Sequence, residues 1–152
     1  MSLQQAEKPY VETYHGRVVE LIDMSNQAGV TPVFMTQPLF YGCDTDPSTG
    51  IDFKRLVDMD SQNLIEVSAC FFWQRMELYN DALRRACHEY DVHLIDVARK
   101  MPHDSQLYYD YVHHNKLGQK ELARIVSEDM FLYFEQRSEK TKITKLKPTN
   151  IK

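Results

Sequence analysis

Apolar side chains recur at spacings of three and four through Val11, Tyr14, Val18, Leu21 and Ile22. That period predicts an amphipathic helix from Pro9 to Ala28. Pro9 suits a first helical turn, and Gly29 stands where a helix-ending glycine belongs. The period then changes. Val30-Thr-Pro-Val-Phe-Met-Thr36 is short, apolar and rich in β-formers, as in a strand covered on both faces of a parallel sheet. Pro38, Gly42, Asp44, Asp46, Pro47 and Gly50 make residues 37–52 a loop. Residues 53–70 carry no clean period and are expected to be partly helical. Phe72, Met76, Tyr79, Leu83, Ala86 and Tyr90 form a second helical stripe, followed at once by a second short strand, Val92–Val97. Residues 98–114 are a loop containing Pro102. Asn115 is a good N-cap for a last helix, with Leu122, Ile125, Val126, Met130 and Phe134 on its inner face.

The order is helix, strand, loop, helix, strand, loop, helix, which predicts an α/β fold with a parallel sheet. Two parallel strands cannot cover the faces of three or four helices, and sheets usually have about 4 to 6 strands. The chain also starts on the helix of a crossover whose first strand is not in the sequence. The expectation is therefore the C-terminal part of a larger α/β domain. Its uncovered sheet edge would be apolar and prone to self-association.

Composition narrows the function classes. The chain has 152 residues, 43% hydrophobic and 26% charged, which suits one globular domain. No apolar run approaches the ~20 residues of a spanning helix. Lys plus Arg is 18 against 22 for Asp plus Glu, net −4, which argues against nucleic acid as a partner. The excess of base sits at the end. Residues 136–152 hold six Lys or Arg and one acid, Glu139, so residues 1–135 carry −9. We expect residues 1–135 to form the folded part and 136–152 to be a basic, flexible tail. Five glycines leave little room for glycine-rich phosphate loops. Cys43, Cys70 and Cys87 have no CxxC spacing, and the expectation is buried thiols in a reducing compartment. No signal peptide is visible, and Met1-Ser2-Leu3 reads as an added start rather than a native one.

Sites on open α/β sheets lie beyond the carboxyl ends of the strands. Two segments qualify: Thr36-Gln37-Pro38 onward, and the one after Asp96. The second carries Tyr108-Tyr-Asp110-Tyr-Val-His113-His114-Asn115-Lys-Leu-Gly118. Asp110 and His113 are three apart, just before a helix cap. On such a turn the carboxylate can accept from imidazole Nδ1–H and leave Nε2 as a base. The competing pair is Asp110 with His114. The same residues also fit an ordinary turn started by Asp110, with His113 a satisfied loop histidine. A third reading is a metal site drawn from His103, Asp104, Asp110, His113 and His114, although no HExxH or i, i+4 histidine pair is present. The assignment we carry forward has no metal and no cofactor.

The stretch from Trp73 to Met130 resembles the C-terminal half of the SGNH (GDSL-type) hydrolases. The matching residues are Trp73, Met76, Tyr79-Asn80, Leu83-Arg84, Leu94-Ile95-Asp96-Val97, Met101-Pro102, Tyr109-Asp110-Tyr-Val-His113-His114-Asn115-Lys-Leu-Gly118 and Ala123. With the helix from Tyr10 and the strand ending Phe34-Met-Thr-Gln-Pro38, the likeness covers residues 9–134. It implies the C-terminal part of a flavodoxin-like doubly wound parallel sheet, three layers α/β/α, with upstream strands missing. It also implies a Ser-His-Asp esterase acting on a small ester, with His113 as general base and Asp110 as its orienting partner. The family's Gly-Asp-Ser nucleophile block and its Gly-x-Asn-Asp oxyanion block are not in this sequence. Ser2, Ser25, Ser48, Ser61, Ser68, Ser105, Ser127 and Ser138 all lack the strand-to-turn context of that nucleophile. The chain alone is then expected to be inactive. The alternative is a non-catalytic interaction module, or an assembly that a partner completes.

Overall fold

The computed structural model describes residues 2–60 and 65–146. Helix α1 spans Leu3–Gln27 and starts well before its apolar stripe. The reason is a capping box: the Ser2 hydroxyl accepts from the Gln5 N–H, and the Gln5 side chain accepts from the Ser2 N–H. Pro9 therefore lies inside the helix rather than at its start. The other end follows expectation. Gly29 has φ +69°, a value that favours glycine. Its N–H bonds the Asn26 carbonyl and the Val30 N–H bonds the Ser25 carbonyl, at 3.0 and 2.9 Å. This pair of bonds is a Schellman ending, and it reverses the chain into the first strand.

Strand β1 is Val33–Met35, β2 is Val57–Asp60 and β3 is Ile65–Ser68. Helix α2 spans Ala69–Glu89, capped by the Ser68 hydroxyl on the Phe71 N–H. Strand β4 is His93–Ile95 and helix α3 is Val97–Lys100. A 3-10 turn, Ser105–Leu107, precedes α4, Lys116–Leu146. Helix α4 runs past Gln136, where the basic tail was expected to begin. Ser61 and residues 147–152 lie outside the described residues.

The expected doubly wound, three-layer parallel sheet is not what the chain builds. It is mostly helical, 59% helix against 11% strand. β1 and β4 form a two-stranded parallel pair with Val33 opposite His93 and Met35 opposite Ile95. β2 and β3 form a separate antiparallel pair with Val57 opposite Ser68. Residues 57–60 and 65–68 thus form a hairpin where partial helix was expected. The alternation Val57-Asp-Met-Asp and Ile65-Glu-Val-Ser is a period of two.

Alternate side chains of the parallel pair face opposite ways. Phe34 and Leu94 pack on Val18, Ile22, Leu83, Ala86 and Cys87 of α1 and α2. Val33 packs with Ile95, Val97, Met101, Tyr108 and Ile125 on the α4 side. Phe134, expected on the inner face of the last helix, is 58% exposed. A third cluster, Tyr41, Phe53 and Ala69, joins the loop after β1 to the start of α2. The same two segments are joined covalently by a disulfide between Cys43 and Cys70. Those cysteines were expected as thiols; only Cys87 is free, buried between α1 and α2.

Both strands of the parallel pair end in a polar clamp on α2. Arg84 grips Asp96 with Nε at 2.9 Å and Nη2 at 2.8 Å, and its Nη1 bonds Glu77 and Asp81. The Thr36 hydroxyl donates to Asp96 at 2.9 Å and accepts from the Ala98 N–H at 2.8 Å. Asn80 exchanges bonds of 2.9 and 3.0 Å with the Gln37 backbone and donates to Glu77. Burial alone would raise the Asp96 carboxyl, but the bonds from Arg84 and Thr36 hold it below the ordinary value. The Arg84 and Asp96 side chains are only 12% and 21% exposed. Removing one partner leaves the other charge stranded. Arg84→Ala is therefore expected to cost about 3 kcal/mol in urea unfolding. Wild-type stability from Asp96 is full above the ordinary carboxylate range and is lost as pH falls through its lowered value. That acid-side loss should shrink in Arg84→Ala, and an unchanged acid limb would show that the clamp does not set it.

Candidate functional site

The chain between the 3-10 turn and α4 folds back on itself. The Tyr109 N–H bonds the His113 carbonyl at 2.8 Å, and Tyr108 and His114 form an isolated antiparallel bridge. Asn115 locks the base of this loop. Its Oδ1 accepts from the Leu117 and Gly118 N–H groups, and its amide donates to the Gln106 carbonyl at 2.7 Å. Asn115 is thus the N-cap that the sequence predicts. Gly118 lets the loop sit against the first turn of α4. A Cβ there would lie 1.9 Å from the Leu107 carbonyl oxygen. The tip docks toward β1: the Phe40 N–H bonds the Tyr111 carbonyl at 2.9 Å, and the Tyr111 ring stacks on Tyr41 at 5.5 Å.

Asp110 organises the tip. Its Oδ1 accepts from the Val112 and His113 N–H groups, both at 2.8 Å. Its Oδ2 lies 2.8 Å from His113 Nδ1. A carboxylate can only accept, so the proton sits on Nδ1 and the Nε2 lone pair is left for other work. The two side chains are 49% and 78% exposed. The His113 N–H, the His113 ring and the Val112 N–H together hold the Asp110 carboxyl down at about 2, against an ordinary 3.8. The group is a full carboxylate at any physiological pH.

The sequence candidates separate cleanly. Asp110 and His113 come together. His114 turns the other way, its ring 4.7 Å from Tyr108, with Nε2 buried and unbonded among the described residues. Burial, with His113 nearby, lowers the His114 pKa. His103 pairs with Asp44 at 3.3 Å, and Asp104 accepts from Ser48 Oγ at 2.6 Å. The five residues of the metal reading therefore do not converge, and no group of three or more His, Cys, Asp or Glu suited to a metal occurs among the described residues. Five of the described serines are engaged elsewhere. Ser25 and Ser127 bond their own helices, Ser2 and Ser68 are caps, and Ser48 holds Asp104. No described hydroxyl or thiol is bonded to His113.

The sequence reading missed a groove beside this loop. Its volume is about 640 Å³, and it lies between α2 and the chain leaving β1. Phe72, Met76, Tyr79 and Leu83 of α2 line one wall, Met35, Gln37 and Leu39 the other. Tyr111 and Val112, which precede His113 in the chain, also line it, with the Tyr111 ring 6.2 Å from Phe72. The signal was present as the helical stripe of α2, but a stripe does not say whether its face is covered.

No protein-family model matches this chain, and no curated protein matches it in sequence. No helix among the described residues is long and apolar enough to cross a membrane.

Two outcomes follow from this geometry. Gly118→Ala must push the Leu107 backbone, so it is expected to cost about 2 kcal/mol and to shift the His113 ring resonances. An unmoved ring spectrum would separate the loop from that contact. The Asp110 carboxyl should titrate with a midpoint near 2 by carbon-detected NMR. Its stabilising bonds are then complete above the ordinary carboxylate value and vanish as pH falls through about 2. A midpoint at 3.8 would mean that the turn is open in solution.

Proposed function

We propose that this chain carries the acid–base half of a Ser-His-Asp ester hydrolase, with the nucleophile and oxyanion donors supplied from beyond the residues present. The observation that carries the reading is the 2.8 Å contact of Asp110 Oδ2 with His113 Nδ1, which leaves Nε2 open to solvent. The depressed Asp110 carboxyl supports it, because only an ionised partner fixes the tautomer and stabilises the imidazolium. The resemblance of residues 9–134 to the SGNH hydrolases supports it as well.

In this reading a serine Oγ attacks the ester carbonyl carbon while its proton passes to His113 Nε2. The imidazolium, held by Asp110, returns that proton to the departing alkoxide oxygen. A water then gives a proton to Nε2 and attacks the acyl carbon; the acyl–Oγ bond breaks, the acid departs, and Nε2 passes that proton to the serine Oγ. His113 can act only on a hydroxyl within about 2.6–3.2 Å. Without an oxyanion hole a further factor of about 10²–10³ is lost.

Nitrophenyl ester turnover is the test, on the chain alone and on the full reading frame that contains it. The chain alone is expected to show no turnover dependent on His113. In the full product His113→Ala should abolish turnover, and Asp110→Asn should lower kcat by a factor on the order of 10²–10⁴. Hydrolysis by the full product that survives His113→Ala, or a full product with no ester hydrolysis, would overturn the reading.

A further inference from the structure

The base of the dyad loop holds a second histidine turned inward. His114 lies opposite Tyr108 in the isolated bridge, and the two rings meet at 4.7 Å with a tilt of 38°. Tyr108 is 6% exposed and belongs to the core around Ile95, Val97, Met101 and Ile125. The first turn of α4 closes the other side: a Cβ on Gly118 would stand 3.1 Å from the His114 Cβ. The Tyr108 hydroxyl and His114 Nε2 are both buried with no hydrogen-bond partner among the described residues. Buried polar atoms are as a rule bonded, so an orphaned pair at one point of the fold marks a place under tension.

A neutral imidazole fits there as a flat ring with an apolar body. An imidazolium does not. Both of its nitrogens must donate, and the charge would stand where Nε2 finds no acceptor. The charged groups on the surrounding elements give it no partner. The 3-10 turn starts at Asp104, which accepts from Ser48 and from the Gln106 N–H. The chain after β1 carries Asp44, which pairs with His103. The first turns of α4 carry Lys116 and Lys120, exposed and of the same sign as an imidazolium, and Glu121, which pairs with Arg124. The amino end of the α4 dipole is positive as well. On the loop itself Asp110 is spent on His113. The Tyr108 ring attracts a cation, but by less than the hydration that the cation would lose. Burial first, and His113 second, hold His114 below the ordinary 6.5.

We infer that His114 is an acid-released latch: neutral, it packs on Tyr108 and pins the base of the 108–114 loop; protonated, it leaves for water and frees the Asp110–His113 tip from the chain after β1. The tip travels intact, because the bonds of Asp110 to Val112 and His113 lie within the turn. What is given up is its docking, the Tyr109 N–H bond to the His113 carbonyl and the Phe40 N–H bond to the Tyr111 carbonyl. A histidine whose folded value is depressed leaves the closed loop at full stability above 6.5. That stability is lost as pH falls from there toward the lowered folded value, the open fraction rising by up to about tenfold per pH unit. The inference rests on the packing of His114 and not on the hydrolase reading.

Amide hydrogen exchange on the chain as it stands tests the latch, measured above and below 6.5 and corrected for the intrinsic pH dependence of exchange. Protection at Phe40 and Tyr109 is expected to be constant above 6.5 and to fall by up to about tenfold per unit below it, while Leu83 and Ala86 of α2 hold theirs. His114→Leu keeps the packing and cannot charge, so it should remove the fall; His113→Gln should keep it. The wild-type His114 ring should titrate below 6.5 by NMR, a reading that needs no variant to fold. Protection indifferent to pH, a parallel fall in α2, or a His114 midpoint at or above 6.5 would each overturn the latch. So would a fall that survives in His114→Leu or vanishes in His113→Gln.

Discussion

Everything in this chain hangs on how a parallel pair of two three-residue strands is held in place. Such a ribbon has too few ladder bonds to define an orientation for the helices around it. The chain supplies the missing definition with side chains. Arg84 reaches from α2 across the carboxyl end of β4 to Asp96, and Thr36 at the end of β1 bonds the same carboxylate. Asn80, one turn earlier on α2, reads the Gln37 backbone. Four residues thereby fix α2, both strand ends and the start of α3 relative to one another. The buried apolar contacts of Leu83, Ala86 and Cys87 supply attraction, but attraction without direction. The fork of the guanidinium supplies the direction.

That arrangement also explains where the candidate site sits. The chain leaving β1 past Gln37 is anchored by Asn80, runs along the groove, and meets the Asp110–His113 loop where the Phe40 N–H finds the Tyr111 carbonyl. The loop has a second anchor at Asn115 and Gly118 on α4. A dyad that is itself largely in solvent is therefore carried by a loop fixed at both ends.

Local chemistry was the legible part of the sequence. Gly29 ending α1, Asn115 starting α4 and the three-residue spacing of Asp110 and His113 are decided by neighbours within a turn, so residue types alone predict them. The start of α1 lies earlier than Pro9 suggests because Ser2 and Gln5 form a reciprocal cap. The pairing of Val57–Asp60 with Ile65–Ser68 was not predicted although its alternation is present, because each arm has only four residues. The larger error concerned the sheet. Two apolar runs separated by helices suggest a covered parallel sheet, but the runs cannot state how many strands the sheet contains. The Cys43–Cys70 bond was illegible for a similar reason: its partners are 27 residues apart and meet only through folding. Whether a helix face is covered or open is equally invisible, which is why the stripe of α2 did not reveal the groove along it.

The Cys43–Cys70 bond makes a covalent ring of the whole segment that contains Phe53, the hairpin and the first residue pair of α2. In the chain-entropy view a ring of that size removes roughly 3.5 kcal/mol of freedom from the unfolded chain. Phe53 and Tyr41 sit against Ala69 inside or beside that ring, and Tyr41 carries Tyr111. The redox poise of the surroundings is thereby linked, through two stacked rings, to the placement of the Asp110–His113 loop. A thiol-rich medium would loosen the floor beneath the dyad without touching either of its residues.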